Sequence, residues 1–203
     1  PADIESIQVD WETDSAAVKT RRSTVDIDAI TSKRVVTTGC GQGTMFGGLM
    51  EDMAQIRLPE GPKLHQAAIV DLLEQIRAHE TIYKKAGSVH ACAVFERDGD
   101  NKARLIHLIE DVGRHNAVDS ISGLMWLVNR PGENLIFFTT GRLTSEMVIK
   151  GAQMGIPFLL TRSGVTQMGL ELARKTHLTL LSRCSGKHFE IYNAPERVVF
   201  QSS

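Results

Sequence analysis

Cysteine is scarce and scattered, with three residues in 203, at positions 40, 92 and 184. An odd number of thiols so far apart argues against a disulfide framework and for a reducing compartment, which we take to be the cytoplasm. No CxxC occurs anywhere, so a thiolate metal site has no sequence basis. An excess of charge of one sign is also lacking: 23 Lys and Arg stand against 24 Asp and Glu. That balance, with no basic stripe, gives no electrostatic case for nucleic acid or an anionic membrane. No apolar run is long enough to span a bilayer, and nothing at Pro1 reads as a signal peptide. Internal repeats and low-complexity segments are absent too. A hydrophobic share of 42% and a charged share of 23% are those of a globular protein, and 203 residues suffice for one good-sized domain, or a main domain with a smaller attachment.

Residues 1–61 read as an N-terminal β-rich segment with too little apolar material for a core of its own. Strands are expected at 4–9, 24–27 and 33–37, the last leading into a glycine-rich loop. Pro59-Glu60-Gly61-Pro62 punctuates the boundary, and residues 62–203 form the main domain. Pro62 can open a helix whose apolar positions Ile69, Leu72, Leu73, Ile76 and Tyr83 keep helical spacing, with Gly87 closing it. A strand at 89–97, a turn at 98–101 and a strand at 103–109 form a hairpin. Helices near 116–128, 144–154 and 167–175 then alternate with strands at 135–139, 156–160 and 178–181. Short strands close the chain at 189–192 and 197–200. This order predicts a three-layer α/β/α domain with a mixed, mostly parallel sheet and helices on both faces.

The loop Thr37-Thr38-Gly39-Cys40-Gly41-Gln42-Gly43-Thr44-Met45-Phe46-Gly47-Gly48 places one thiol among five glycines. Such a backbone can approach another surface closely, whereas a packing thiol more often lies in an apolar strand. From the loop alone, a presented Cys40 and an ordinary glycine turn are equally good readings.

Ligands of open α/β sheets settle outside the carboxyl ends of the strands. There the sequence puts Thr140-Gly141-Arg142, Thr161-Arg162-Ser163-Gly164 and Ser182-Arg183-Cys184-Ser185-Gly186-Lys187-His188. Arginines, hydroxyls, glycines and helix starts suit phosphate or another oxyanion, although helix caps and solvated charges use the same residues. A P-loop is excluded, because Gly186-Lys187 is followed by His188. A second dense stretch, Glu110-Asp111-Val112-Gly113-Arg114-His115-Asn116-Ala117-Val118-Asp119, is open to acid–base chemistry. Its composition favours a self-satisfied network that ties the hairpin to the next helix. His90 invites a zinc-deaminase reading, which fails for want of His-x-Glu and Pro-Cys-x-x-Cys; Cys92 reads as a core thiol.

The run EDVGRHNAVD at 110–119 resembles the signature of the FdhD family, sulfur carriers of formate dehydrogenase maturation. Gly87-Ser88-Val89-His90, Ser145-Glu146-Met147-Val148, Gly155-Ile156-Pro157, Leu178-Thr179-Leu180, Tyr192, Pro195 and Arg197 agree with it. The resemblance covers residues 37–200, and family members usually carry sequence upstream of the position of Pro1. It implies a deaminase-like fold without the deaminase zinc, a homodimer, and a sulfurtransferase role as a cysteine persulfide carrier. Sulfur would come from a cysteine desulfurase and pass to the molybdenum cofactor, a bis-molybdopterin guanine dinucleotide, for formate dehydrogenase. The family's persulfide cysteine falls on Cys40, and its cofactor-contacting segment on Arg183-Cys184-Ser185-Gly186-Lys187-His188, with Arg142 and Arg162 as further candidates from the sheet edge. A GDP-like nucleotide is then a plausible ligand. Many members have CxxC in the loop, where this chain has Cys40 and Gly43. Two rivals remain: a cofactor-binding chaperone in which Cys40 is incidental, and a thiol hydrolase using Cys40 with His90 or His115. The second is disfavoured because no oxyanion-hole element adjoins Cys40.

Overall fold

A computed structural model describes residues 4–21, 56–79, 82–99 and 101–200. The chain divides into two compact units, 1–50 and 51–203. In the first, β1 (Ile4–Asp10) and β2 (Ser15–Thr20) form an antiparallel hairpin in which Ile7 faces Val18 and Asp10 faces Ser15. The Asp10 carboxylate closes the turn by accepting the N–H of Glu12 at 2.9 Å and of Thr13 at 3.3 Å. The return strand escaped the sequence reading because Ser-Ala-Ala-Val-Lys-Thr alternates weakly. The strands expected at 24–27 and 33–37 lie outside the described residues.

The second unit opens with a departure from expectation. Pro62 does not start a helix; a short strand, β3 (Leu64–His65), comes first, and α1 runs Gln66–His79. Helical spacing carried the predicted element on to Tyr83, but that residue belongs to a separate helix, α2 (Ile82–Ala86), which buries none of its residues. Gly87 ends it at φ +65°, with its N–H on the Tyr83 carbonyl. Then follow β4 (His90–Asp98), β5 (Lys102–Asp111), α3 (Arg114–Leu127), β6 (Leu135–Thr139) and α4 (Ser145–Gln153). The chain continues through β7 (Phe158–Thr161), α5 (Gln167–Thr176), β8 (Thr179–Ser185) and β9 (His188–Asn193). The strand expected at 197–200 is instead a 3-10 turn, Pro195–Arg197, and a two-residue β10 (Val198–Val199) paired in parallel with β3.

Six strands form one mixed sheet in the order β5-β4-β6-β7-β8-β9. Its centre, β6-β7-β8, is parallel; β5, β4 and β9 pair antiparallel on the flanks. One face packs on α1, where Ile69, Leu72 and Ile76 meet Phe95, Ile136, Phe138 and Leu160. Side chains of alternate residues point to the other face, where α4 approaches β7 so closely that a Cβ on Gly151 would lie 2.7 Å from Leu159 Cδ2. Helices therefore cover both faces, and the sheet's carboxyl end is left for loops.

Arg197 locks the segment before β3 onto this body. It is buried, and its guanidinium donates to the carbonyls of Pro59, Pro62 and His177 at 2.8, 3.2 and 2.7 Å. Among the described residues no helix is long and apolar enough to cross a membrane.

Candidate functional site

The parallel strands β6, β7 and β8 end side by side, and their exit turns are stitched together. Arg162 N–H donates to Thr139 O, Leu143 N–H to Gly164 O, and Arg183 N–H to Ser163 O, all at 3.0 Å. The Thr161 hydroxyl adds a 2.6 Å bond to the Gly141 carbonyl. The turns bearing Arg142 and Arg162 and the stretch of β8 bearing Arg183 thus form one continuous rim; only the first two lie past strand ends, as their sequence positions predicted.

Antiparallel pairing adds residues that sequence position alone did not place there. Because β4 runs against β6, with Cys92 opposite Thr139, its first residue His90 stands at this same end. His90 pairs with Asp111, so the end of β5 and the 110–119 run reach the rim as well. Gly141 is where the two meet: a Cβ there would lie 3.0 Å from Arg114 Cδ and 3.5 Å from His90 Nδ1. Only a glycine admits that approach without displacing Arg114. Partial burial, then the neighbouring Arg114 and His115, push the His90 pKa below its ordinary value.

Arg183 owes its direction to a strained backbone. Expected to follow a strand ending at 181, it lies within β8 at φ +52°, where the β8–β9 register shifts between Ser182 and Ser185. A bulge of this kind re-aims a side chain, and a non-glycine left-handed residue costs on the order of 1–3 kcal/mol. Its guanidinium approaches Gly164, so β8 hands its charge to the β7 exit turn. Ser185, Gly186, Lys187 and His188 form the exposed hairpin tip beyond it, with Gly186 at φ +60°. Lys187 lines the α1 side, near Gln66, Asp71 and Glu74. Cys184 differs from its neighbours: its side chain is wholly buried in the α1-side core, which removes the thiol from any ligand at the rim.

The 110–119 run resolves into contacts. Glu110 accepts the N–H of Ile82 and of Tyr83 at 3.1 and 2.8 Å. Asp111 accepts the N–H of Gly113 at 2.7 Å and the Asn116 amide at 3.1 Å, joining β5 to α3. His115 meets Glu146 at 3.1 Å; Lys150 bridges Glu146 at 3.1 Å and Asp119 at 2.8 Å, joining α3 to α4. The hydrogen bond from His115, then those from Lys150, hold the Glu146 carboxyl at about 2 against the opposing effect of burial. A depressed carboxylate stabilises the fold above its ordinary pKa and loses that contribution as pH falls through the folded value. Glu146→Gln is therefore expected to melt below wild type at neutral pH, with the gap closing as pH falls from about 4.5 to about 2. Melting curves over that range check it; a gap that persists at the acid limit would contradict it.

The rim has the chemistry of an oxyanion receiver. Arg142 is exposed, and Thr144, at the N-cap of α4, makes no side-chain cap bond. The Thr144 hydroxyl oxygen is buried with no hydrogen-bond partner among the described residues. Charge-assisted bonds from arginine and helix N–H groups suit phosphate oxygens. Among the described residues no cluster of His, Cys, Asp and Glu could hold a metal ion. Cys40 lies outside the described residues. The other two thiols are buried and poorly acidic: Cys92 sits against Thr139 at 3.3 Å, and burial pushes both Cys92 and Cys184 up to about 12.

Comparison with known proteins agrees with the fold. The FdhD/NarQ family model matches residues 1–199. A Saccharolobus solfataricus protein named sulfur carrier protein FdhD is 36% identical over 137 residues, 67% of this chain and 52% of its own. A Burkholderia mallei protein of the same name is 34% identical over 72% of this chain and 53% of its own. A Staphylococcus haemolyticus relative, also so named, is 25% identical over 97% of the chain and 72% of its own. The chain thus spans about half the length of the first two. A crystal structure described as a formate dehydrogenase accessory protein from Desulfotalea psychrophila superposes with a TM-score of 0.69 at 27% identity, covering 97% of this chain and 71% of the other.

Proposed function

The chain belongs to the FdhD/NarQ family, and from that premise we propose that it is a sulfur carrier whose cargo travels as a persulfide on Cys40. One observation carries the choice of residue. Of three cysteines, Cys92 and Cys184 are buried with thiols pushed up to about 12, so neither supplies a thiolate near neutral pH. The family resemblance falls on the remaining one. Loading is a thiol exchange: the Cys40 thiolate attacks the outer sulfur of a persulfide on a cysteine desulfurase. The new S–S bond forms as the old one breaks, the desulfurase leaves as a thiolate, and no net oxidation occurs. The sulfur then passes to a molybdenum cofactor bearing guanine dinucleotides, which is substrate rather than resident group. The Cys40 S–S bond breaks as a second, external thiol attacks Cys40 Sγ, forms a disulfide with it and so supplies the two electrons that release the sulfur as sulfide. The rim of Arg142, Arg162 and Arg183 receives the cofactor's phosphates. This reading includes formate dehydrogenase as the enzyme served and a cytoplasmic homodimer as the working state.

The test is direct: incubate the protein with a cysteine desulfurase and free cysteine, then weigh it intact. One added sulfur, lost on reduction, is expected; an unchanged mass sinks the carrier role. A noncovalent cofactor-holding chaperone is the second reading, favoured by the rim and by Gly43 in place of a second thiol, and in that case the mass stays constant while nucleotide still binds.

The rim has its own expected result. Arg142→Ala and Arg183→Ala should each weaken GDP binding by about 1.5–3 kcal/mol, the loss of one charge-assisted contact. Calorimetric titration measures it, and unchanged affinity in both variants would place the phosphates elsewhere.

A further inference from the structure

The short helix α2 has no buried residue and only five residues in all, far below the length at which an isolated helix is stable. Its placement therefore rests on tethers. Lys84 donates to the Arg77 carbonyl of α1. The stronger tether is Glu110, whose two carboxylate oxygens take the N–H of Ile82 and of Tyr83 at 3.1 and 2.8 Å. What α2 delivers is the Tyr83 ring, 5.3 Å from the Arg162 guanidinium; the ring of Phe138, from β6, lies 5.9 Å from the same group. Two aromatic faces within about 6 Å restrict a guanidinium and stabilise its charge. Phe138 is fixed in the core, so the ring whose place depends on α2 is Tyr83.

We propose that Glu110 is a positioning residue for the rim: by holding the start of α2 it keeps Tyr83 against Arg162 and so aims Arg162 at an anionic ligand. This rests on the reading of the rim as the phosphate receiver. It gives the first carboxylate of the 110–119 run a task that acts through another side chain and needs no proton transfer.

A double-mutant cycle with GDP as probe, titrated calorimetrically on the full chain, tests it. Arg162→Ala is expected to weaken binding on the order of tenfold or more. Glu110→Ala and Tyr83→Ala should each weaken it roughly two- to tenfold, while Tyr83→Phe, which keeps the ring, binds like wild type. The decisive result is non-additivity: Glu110→Ala combined with Arg162→Ala should bind no more weakly than Arg162→Ala alone. Melting curves confirm folding; should Glu110→Ala fail to fold, Tyr83→Ala in the same cycle carries the test. If Arg162→Ala weakens GDP but Glu110→Ala and Tyr83→Ala do not, or if the losses simply add, Glu110 does not act through Arg162. If wild type fails to bind GDP, or Arg162→Ala leaves its affinity intact, the rim assignment itself falls and the positioning role with it.

Discussion

Cys40→Ala is expected to abolish the one-sulfur mass gain on incubation with a desulfurase and cysteine, whereas Cys92→Ala and Cys184→Ala retain it. The size of the effect follows from the thiolate requirement. A thiol held near 12 is ionised in roughly one molecule in 10⁵ at pH 7, because each pKa unit is a tenfold change in the ionised fraction. Such a group loses any race for sulfur to an accessible cysteine of ordinary pKa. Burial compounds the difference, since Cys92 and Cys184 are wholly enclosed and a desulfurase cannot reach them. The three single variants, weighed intact and then assayed for sulfur delivery, separate the outcomes. Retained loading in Cys40→Ala would mean that a core thiol becomes exposed on encounter with the donor. The carrier mechanism in its present form would then be wrong. Gly43, where many family members have a second cysteine, makes the prediction sharper: there is no neighbouring thiol within the loop to take over.

Gly132→Ala is expected to give the largest loss of stability of any small substitution considered, with no change in GDP affinity per folded molecule. A Cβ at this position would sit 2.1 Å from the Met154 carbonyl oxygen and 2.6 Å from the Gly155 carbonyl carbon. Both are backbone atoms in the turn that ends α4, so no side chain can swing away to relieve the clash. Overpacking of this kind costs about 3 kcal/mol or more, equivalent to a fall in Tm of roughly 6–12 °C for a chain of this length. Gly151→Ala offers the contrast: its close neighbours are the Leu159 methyl groups, which can shift. Gly132 lies before β6, at the sheet end away from the rim, where Leu135 N–H returns to its carbonyl at 2.9 Å. Thermal melts and GDP titration together check both halves; a Tm within a degree of wild type would show that the turn relaxes cheaply.

How far the sequence could be read depended on where each signal lies. The apolar run of β4, its turn into β5 and the apolar strands β6 and β7 were legible because each pattern is local. So were the helices α3, α4 and α5, and the rim arginines Arg142 and Arg162, since exit turns of parallel strands have a fixed place in such sheets. Tyr83 was misassigned for the complementary reason. Its spacing continues that of Ile69, Leu72 and Ile76, and periodicity does not reveal that Ile82 and Tyr83 open a second helix, with their N–H groups on Glu110. Cys184 was grouped with the residues around it, yet the bulge at Arg183 sends that arginine to the rim while Cys184 packs into the core.

By itself, the sequence determined the layer order and, through EDVGRHNAVD, the resemblance to a family, while its glycine loop left Cys40 open between a presented thiol and an ordinary turn. Those properties reside in consecutive residues. Only the tertiary structure decided which contacts that motif makes. Glu110 reaches the start of α2, Asp111 takes the N–H of Gly113 just before α3, and His115 and Asp119 join α4 through Glu146 and Lys150. It also decided that His90 and Gly141 share the rim with Arg114. Antiparallel pairing of β4 with both β5 and β6 brings those groups together from positions 90, 114 and 141. Register between strands distant in the chain is a consequence of packing, and no local pattern encodes it.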